Sequence, residues 1–121
     1  MKKLLLAVIV SLSTISTAAL AEIKVGIILG FTGPIETLTP AMRDSAKLAF
    51  AEVSDSGALL GGETITPLIG DSTCVDSDAA VAAAEMLVND GVAAIMGADC
   101  SGVTGAIATN VAVPNGVTMV S

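Results

Sequence analysis

The residues of this chain best suited by type to hold a small molecule fall in two short segments, Asp99-Cys100-Ser101-Gly102 and Thr32-Gly33-Pro34. Ser101 stands where a strand-end loop turns into a helix. There its hydroxyl and the amides of Gly102 and Val103 can hold an anionic oxygen such as a carboxylate. The plainer alternative is that Ser101 caps its own helix. Asp99 repels an anion and attracts an ammonium, so the pair suits a zwitterion; a solvated loop carboxylate is the alternative for Asp99. Gly33 permits an unusual backbone angle or a close approach by a ligand, and Pro34 stiffens the chain after it, although a simple turn uses the same residues.

Other chemistries lack their residues. The chain has no histidine, so the usual general base is missing, and no G-x-S-x-G elbow surrounds any serine. The loop after the first strand has neither a G-x-G-x-x-G fingerprint nor a Walker sequence. Asp76 and Asp78 resemble a carboxylate pair, but they open a helix, where acidic residues stabilise the dipole. Two cysteines without histidine do not complete a tetrahedral metal site. No enzyme activity, cofactor or metal is therefore expected.

Residues 1–21 have the form of a removable export signal. Lys2 and Lys3 precede the apolar stretch Leu4 to Val10, and Ala19-Leu20-Ala21 supplies small residues at a cleavage site, making Glu22 the first mature residue. The stretch is too short for a membrane-spanning helix. Periplasmic localisation and a soluble mature product follow as expectations. Without Lys2 and Lys3, three basic residues remain against twelve acidic ones, a formal charge of −9. Such a surface repels nucleic acid, and with Phe31 and Phe50 the only aromatics there is no platform for stacking bases. In the oxidising compartment implied by the signal, Cys74 and Cys100 are expected to form a disulfide, two free thiols being the alternative.

The pattern along the chain supplies the elements that must position these residues. Ile23 to Leu29 is almost continuously apolar, as in a parallel strand covered on both faces. Pro40 fits the first turn of a helix ending at Ser56-Gly57, with Ala46, Ala49, Phe50 and Val53 as its apolar stripe. Thr64 to Gly70 reads as a second strand, placed at a sheet edge by Pro67. A helix capped by Asp76 or Ser77 runs to Asp90, with Val81, Ala84, Leu87 and Val88 facing inward and Gly91 as its stop. Val92 to Met96 is the third strand, Gly102 to Val111 a weaker helix, Pro114-Asn115-Gly116 a turn, and Val117 to Ser121 the last strand.

This βαβαβαβ order predicts a parallel α/β sheet with helices on both faces and strand order 2-1-3-4. Ligands in such sheets bind beyond the strand carboxyl ends where the order reverses, at the loops Gly30 to Thr39 and Gly97 to Gly102. The strands preceding the two cysteines would lie about 10 Å apart with the first strand between them. The Asp71 to Ser77 loop must therefore lean across the sheet end for a disulfide to close.

Read together, I-K-V-G-I (23 to 27), T-G-P (32 to 34), the Asp71 to Asp76 run with Cys74, A-V-A-A-A-E-M-L-V-N-D-G-V (80 to 92) and G-A-D-C-S (97 to 101) resemble the amino-terminal part of periplasmic solute-binding proteins of the leucine/isoleucine/valine type, which serve ABC importers. The resemblance covers essentially the whole mature segment. It implies a type I periplasmic-binding-protein fold of two α/β lobes closing over a ligand, with residues 22–121 as the first half of lobe 1. It also implies a Cys74–Cys100 disulfide and a Ser101 hydroxyl on the ligand α-carboxylate. Thr32, Asp99 and Gly102 belong to the site loops, and Ser121 stands at the serine of the family's Ile-Ser-Pro segment. Leu38 takes the place of a tyrosine that leucine-binding members carry after T-G-P. The implied partners are an amino acid of branched-chain type or a related small carboxylate or amide, and ABC permease subunits of the inner membrane. The full-length protein would be a monomer. The alternative is an extracytoplasmic ligand-sensing domain of a receptor with the same fold.

Overall fold

A computed structural model describes residues 22–121; the export signal expected over residues 1–21, with its cleavage after Ala21, lies outside the described residues. The apolar run forms β1 (Glu22–Leu29), and its last three residues, Ile27, Ile28 and Leu29, are buried. Alternation along a strand sends these side chains to opposite faces, so both faces must be covered. The chain continues through α1 (Thr39–Asp55), β2 (Thr64–Asp71), α2 (Ser77–Asn89), β3 (Ala94–Gly97), α3 (Ser101–Ile107) and β4 (Thr118–Val120). All strand pairings are parallel and the order is β2-β1-β3-β4, with Pro67 on the edge strand opposite Val25. Strand order and edge assignment thus agree with the expectation from right-handed crossovers and proline placement.

The main core lies between the sheet and the helices α2 and α3, where Ile28, Ala84, Leu87, Ile95, Val103 and Ile107 pack together. Asp76 caps α2, its Oδ1 accepting from the amides of Asp78 and Ala79 at 3.0 Å each. The Asp76-Asp78 spacing is therefore a helix-start device. Leu87 sits directly over Gly26 and Gly70: a Cβ on either would stand 3.0 or 3.1 Å from Leu87 Cδ1. Two glycines on adjacent strands thereby let α2 approach the sheet. The buried stripe of α2 is Ala80, Ala84 and Leu87; Ala84 and Leu87 are as expected, while Val81 and Val88 lie half-buried at its margin and Ala80 joins it.

Three expectations are corrected. The stripe of α1 is not buried: Thr39 is the helix's only buried residue and Val53 is 42% exposed. The physical reason is that α1 packs on β1 and β2 on the face opposite α2 and α3, with no second helix beside it among the described residues. The third strand begins at Ala94, because Val92 still belongs to the turn from α2, its amide donating to Leu87 O. The last helix does not stop at Val111. After α3 the chain makes a wide π-helical turn, Ala108–Ala112, and a final turn, Val113–Asn115, closed by left-handed Gly116. The widened turn restarts the hydrogen-bond register, so Pro114 falls in a first turn, where its missing N–H costs nothing.

Candidate functional site

The order reverses between β1 and β3, and two carboxylates hold the loop after β1 there, Asp99 from the loop after β3 and Asp71 from the end of β2. Asp99 Oδ2 accepts from Gly30 N at 2.9 Å, while its Oδ1 accepts from Ser72 Oγ at 3.4 Å. Asp71, at the end of β2, accepts from Phe31 N at 2.9 Å, Thr32 N at 3.3 Å and Thr73 N at 2.8 Å through Oδ1, and from Thr32 Oγ1 at 2.7 Å through Oδ2. Partial burial pushes the Asp71 carboxyl upward, but the bonds from the Thr32 hydroxyl and the Thr73, Thr32 and Phe31 amides outweigh it and hold it below its ordinary value.

The Cys74–Cys100 disulfide is present, with Cα atoms 5.2 Å apart. It closes because the loop after β2 leans over the end of β1, as the sequence required. A Cβ on Gly30 would lie 3.2 Å from Cys74 Cβ, and left-handed Thr73 and Cys74 make the bend. Gly33 is fixed by the same loop: its φ is +98°, and a Cβ there would stand 2.5 Å from Thr73 O. The T-G-P segment is thus a close backbone contact between two strand-end loops.

Ser101 and Gly102 are exposed on the first turn of α3. The cap position belongs to Cys100, and the first intrahelical bond runs from Thr104 N to Cys100 O, so the amides of Ser101, Gly102 and Val103 precede the ladder. Thr32 is exposed and tied to Asp71. Leu38 is 61% exposed immediately before α1. Ser121 Oγ donates to Ala98 O at 2.6 Å. Asp99 and Ser121 meet in a cavity of about 340 Å³ that Leu29, Met42, Met96 and Val120 make largely apolar; Ser101, Gly102, Thr32 and Leu38 do not line it.

Hydroxyl direction sorts these groups. Thr32 and Ser121 each spend their single hydrogen on an internal acceptor, so toward a bound molecule they offer lone pairs. The start of α3 offers donors. The arrangement therefore sets hydroxyl acceptors at the ends of β1 and β4, while the stretch after β3 carries both the Asp99 carboxylate and the amide donors of α3.

Sequence reasoning passed over Asp71, Thr39 and Ser72. Thr39, fully buried, donates from Oγ1 to Gly30 O at 3.1 Å, and buried Ser72 donates its amide to Leu29 O at 2.9 Å. The bond from Thr73 N back to Asp71 Oδ1 is an Asx turn, and Asp-Ser-Thr at a strand end is its sequence signal.

A small parallel α/β unit with its polar loops gathered at the reversal of strand order is the frame of a ligand-binding lobe. The family model described as periplasmic binding protein matches residues 22–121, and the chain belongs to that family. It is 30% identical over 119 residues to the Leu/Ile/Val-binding protein BraC3 of Rhizobium johnstonii, a match that covers 98% of this chain and 32% of that protein. Among solved structures, the branched-chain amino acid transporter substrate-binding protein LivJ of Streptococcus pneumoniae, in complex with isoleucine, matches with a TM-score of 0.72 at 27% identity over 82% of this chain and 28% of that one. The leucine-binding protein LivK of Thermotoga maritima matches with a TM-score of 0.68 at 28% identity, over 80% and 26%. The chain thus spans about a third or less of the length of these relatives.

Proposed function

We propose that residues 22–121 form the amino-terminal part of the first lobe of a two-lobe periplasmic substrate-binding protein that delivers a small molecule to an ABC permease without catalysing a reaction. The ligand is an amino acid of branched-chain type or a related small carboxylate or amide. The observation that carries this reading is the division of the sheet end into donors and acceptors. Ser101 and the first-turn amides of α3 suit a carboxylate, while Asp99, Thr32 and Ser121 present acceptors suited to an ammonium. The names of the relatives support the amino-acid class.

A thermal-shift screen of the full-length protein against amino acids, amides, small carboxylates and sugars tests it. A true ligand at 100 times its dissociation constant raises stability by about 2.7 kcal/mol. Ser101→Ala weakens an amino-acid ligand by about 1 to 3 kcal/mol, the cost of an unmet hydrogen bond to a charged group. Stabilisation by sugars alone overturns the ligand class, and unchanged affinity in Ser101→Ala removes that residue from the site.

A further inference from the structure

Three consecutive backbone amides, those of Gly30, Phe31 and Thr32, donate to side-chain carboxylates instead of to a neighbouring strand: the first to Asp99, the next two to Asp71. Asp71 also takes the Thr32 hydroxyl and the Thr73 amide. A loop leaving a strand has no ladder to fix it, and this one has exchanged the ladder for two anions. Gly33 then rests against Thr73 O, too close for any side chain between them. Gly30 is thus held from the loop after β3, and residues 31 and 32 are held from β2, through Asp71 alone among the carboxylates.

We propose that Asp71 is a positioning residue for ligand binding: it holds the Gly30 to Gly33 loop, and with it the Thr32 hydroxyl, in the place from which the loop meets the ligand. Asp71 itself touches no ligand in this role. Its Oδ1 accepts from three amides of the two loops, and its Oδ2 accepts from the Thr32 hydroxyl. The disulfide does not replace it, since Cys74 anchors the β2 loop to Cys100 and makes no bond to residues 31 or 32. The inference rests on the ligand reading proposed above.

The test compares Asp71→Ala, Asp71→Asn and the core variant Leu87→Ala in the full-length protein, with leucine, isoleucine and valine as probes. Dissociation constants are set against melting temperatures. Asp71→Ala raises the dissociation constant about tenfold or more, and Asp71→Asn, which keeps one acceptor oxygen for the amides, falls between it and wild type. Leu87→Ala loses stability with unchanged affinity. Affinity within about twofold of wild type in Asp71→Ala, or an equal loss in Leu87→Ala, overturns the proposal. Should the alanine variant fail to fold, the asparagine variant decides by the same criteria. If wild type binds none of the probes, the branched-chain part of the ligand reading fails, and amide exchange then decides the positioning role. Faster exchange at Phe31, Thr32 and Thr73 with the β1 amides unchanged sustains it, and unchanged exchange at those residues overturns it.

Discussion

At the scale of single residues, a carboxylate that collects amide hydrogens stabilises the fold only while it is ionised. Asp71 has its folded-state value held below the ordinary 3.8. Its contribution is complete above the unfolded value and is lost as pH falls through the lowered folded one. As pH falls below the ordinary carboxylate value of 3.8, the wild-type protein should therefore lose stability that Asp71→Asn, already uncharged, has no means of losing. Urea midpoints across that range check this, and parallel slopes for the two proteins would contradict it. Asp44 is also lowered, by its hydrogen bond from Arg43, but that pair is solvent-exposed and its effect is screened. The role of Asp71 was not legible, because apart from the local bond from Thr73 its donors lie in a loop about forty residues away that only the fold brings beside it.

At the scale of elements, local rules account for most of what forms. Proline at the start of α1, the Asp76 cap of α2 and the edge placement of Pro67 each follow from one residue's backbone chemistry. Asp76→Ala leaves two first-turn amides of α2 without their acceptor and should cost about 1 kcal/mol, read as a lowered melting temperature. Asp78→Ala, which removes only a charge near the helix start, should cost less, about 0.3 to 1 kcal/mol; equal losses would remove the cap role of Asp76. Periodicity misjudged α1 because a stripe states which side chains prefer burial and not whether a neighbour arrives to bury them. The π-helical turn before Pro114 has no periodic signature, since it resolves a conflict between helix continuation and a missing N–H.

At the scale of the whole molecule, the disulfide ties the loop after the edge strand β2 to the loop after β3, across the end of β1. Closing a loop of about 26 residues should stabilise by about 3.5 kcal/mol in the chain-entropy account. Reduction, or Cys74→Ser, should therefore lower the denaturation midpoint substantially, with the larger part of the loss absent only if the reduced chain retains structure when unfolded. Helical periodicity, apolar runs and the placement of proline and glycine determined the element order, the parallel sheet and its 2-1-3-4 arrangement, because these depend on interactions within a few residues and on the handedness of connections. The convergence of Asp71 and Asp99 on residues 30 to 32 and the direction of each hydroxyl were decided only by the tertiary structure. The carboxylate contacts join segments some forty to seventy residues apart, and no local preference encodes which donor a distant carboxylate will meet.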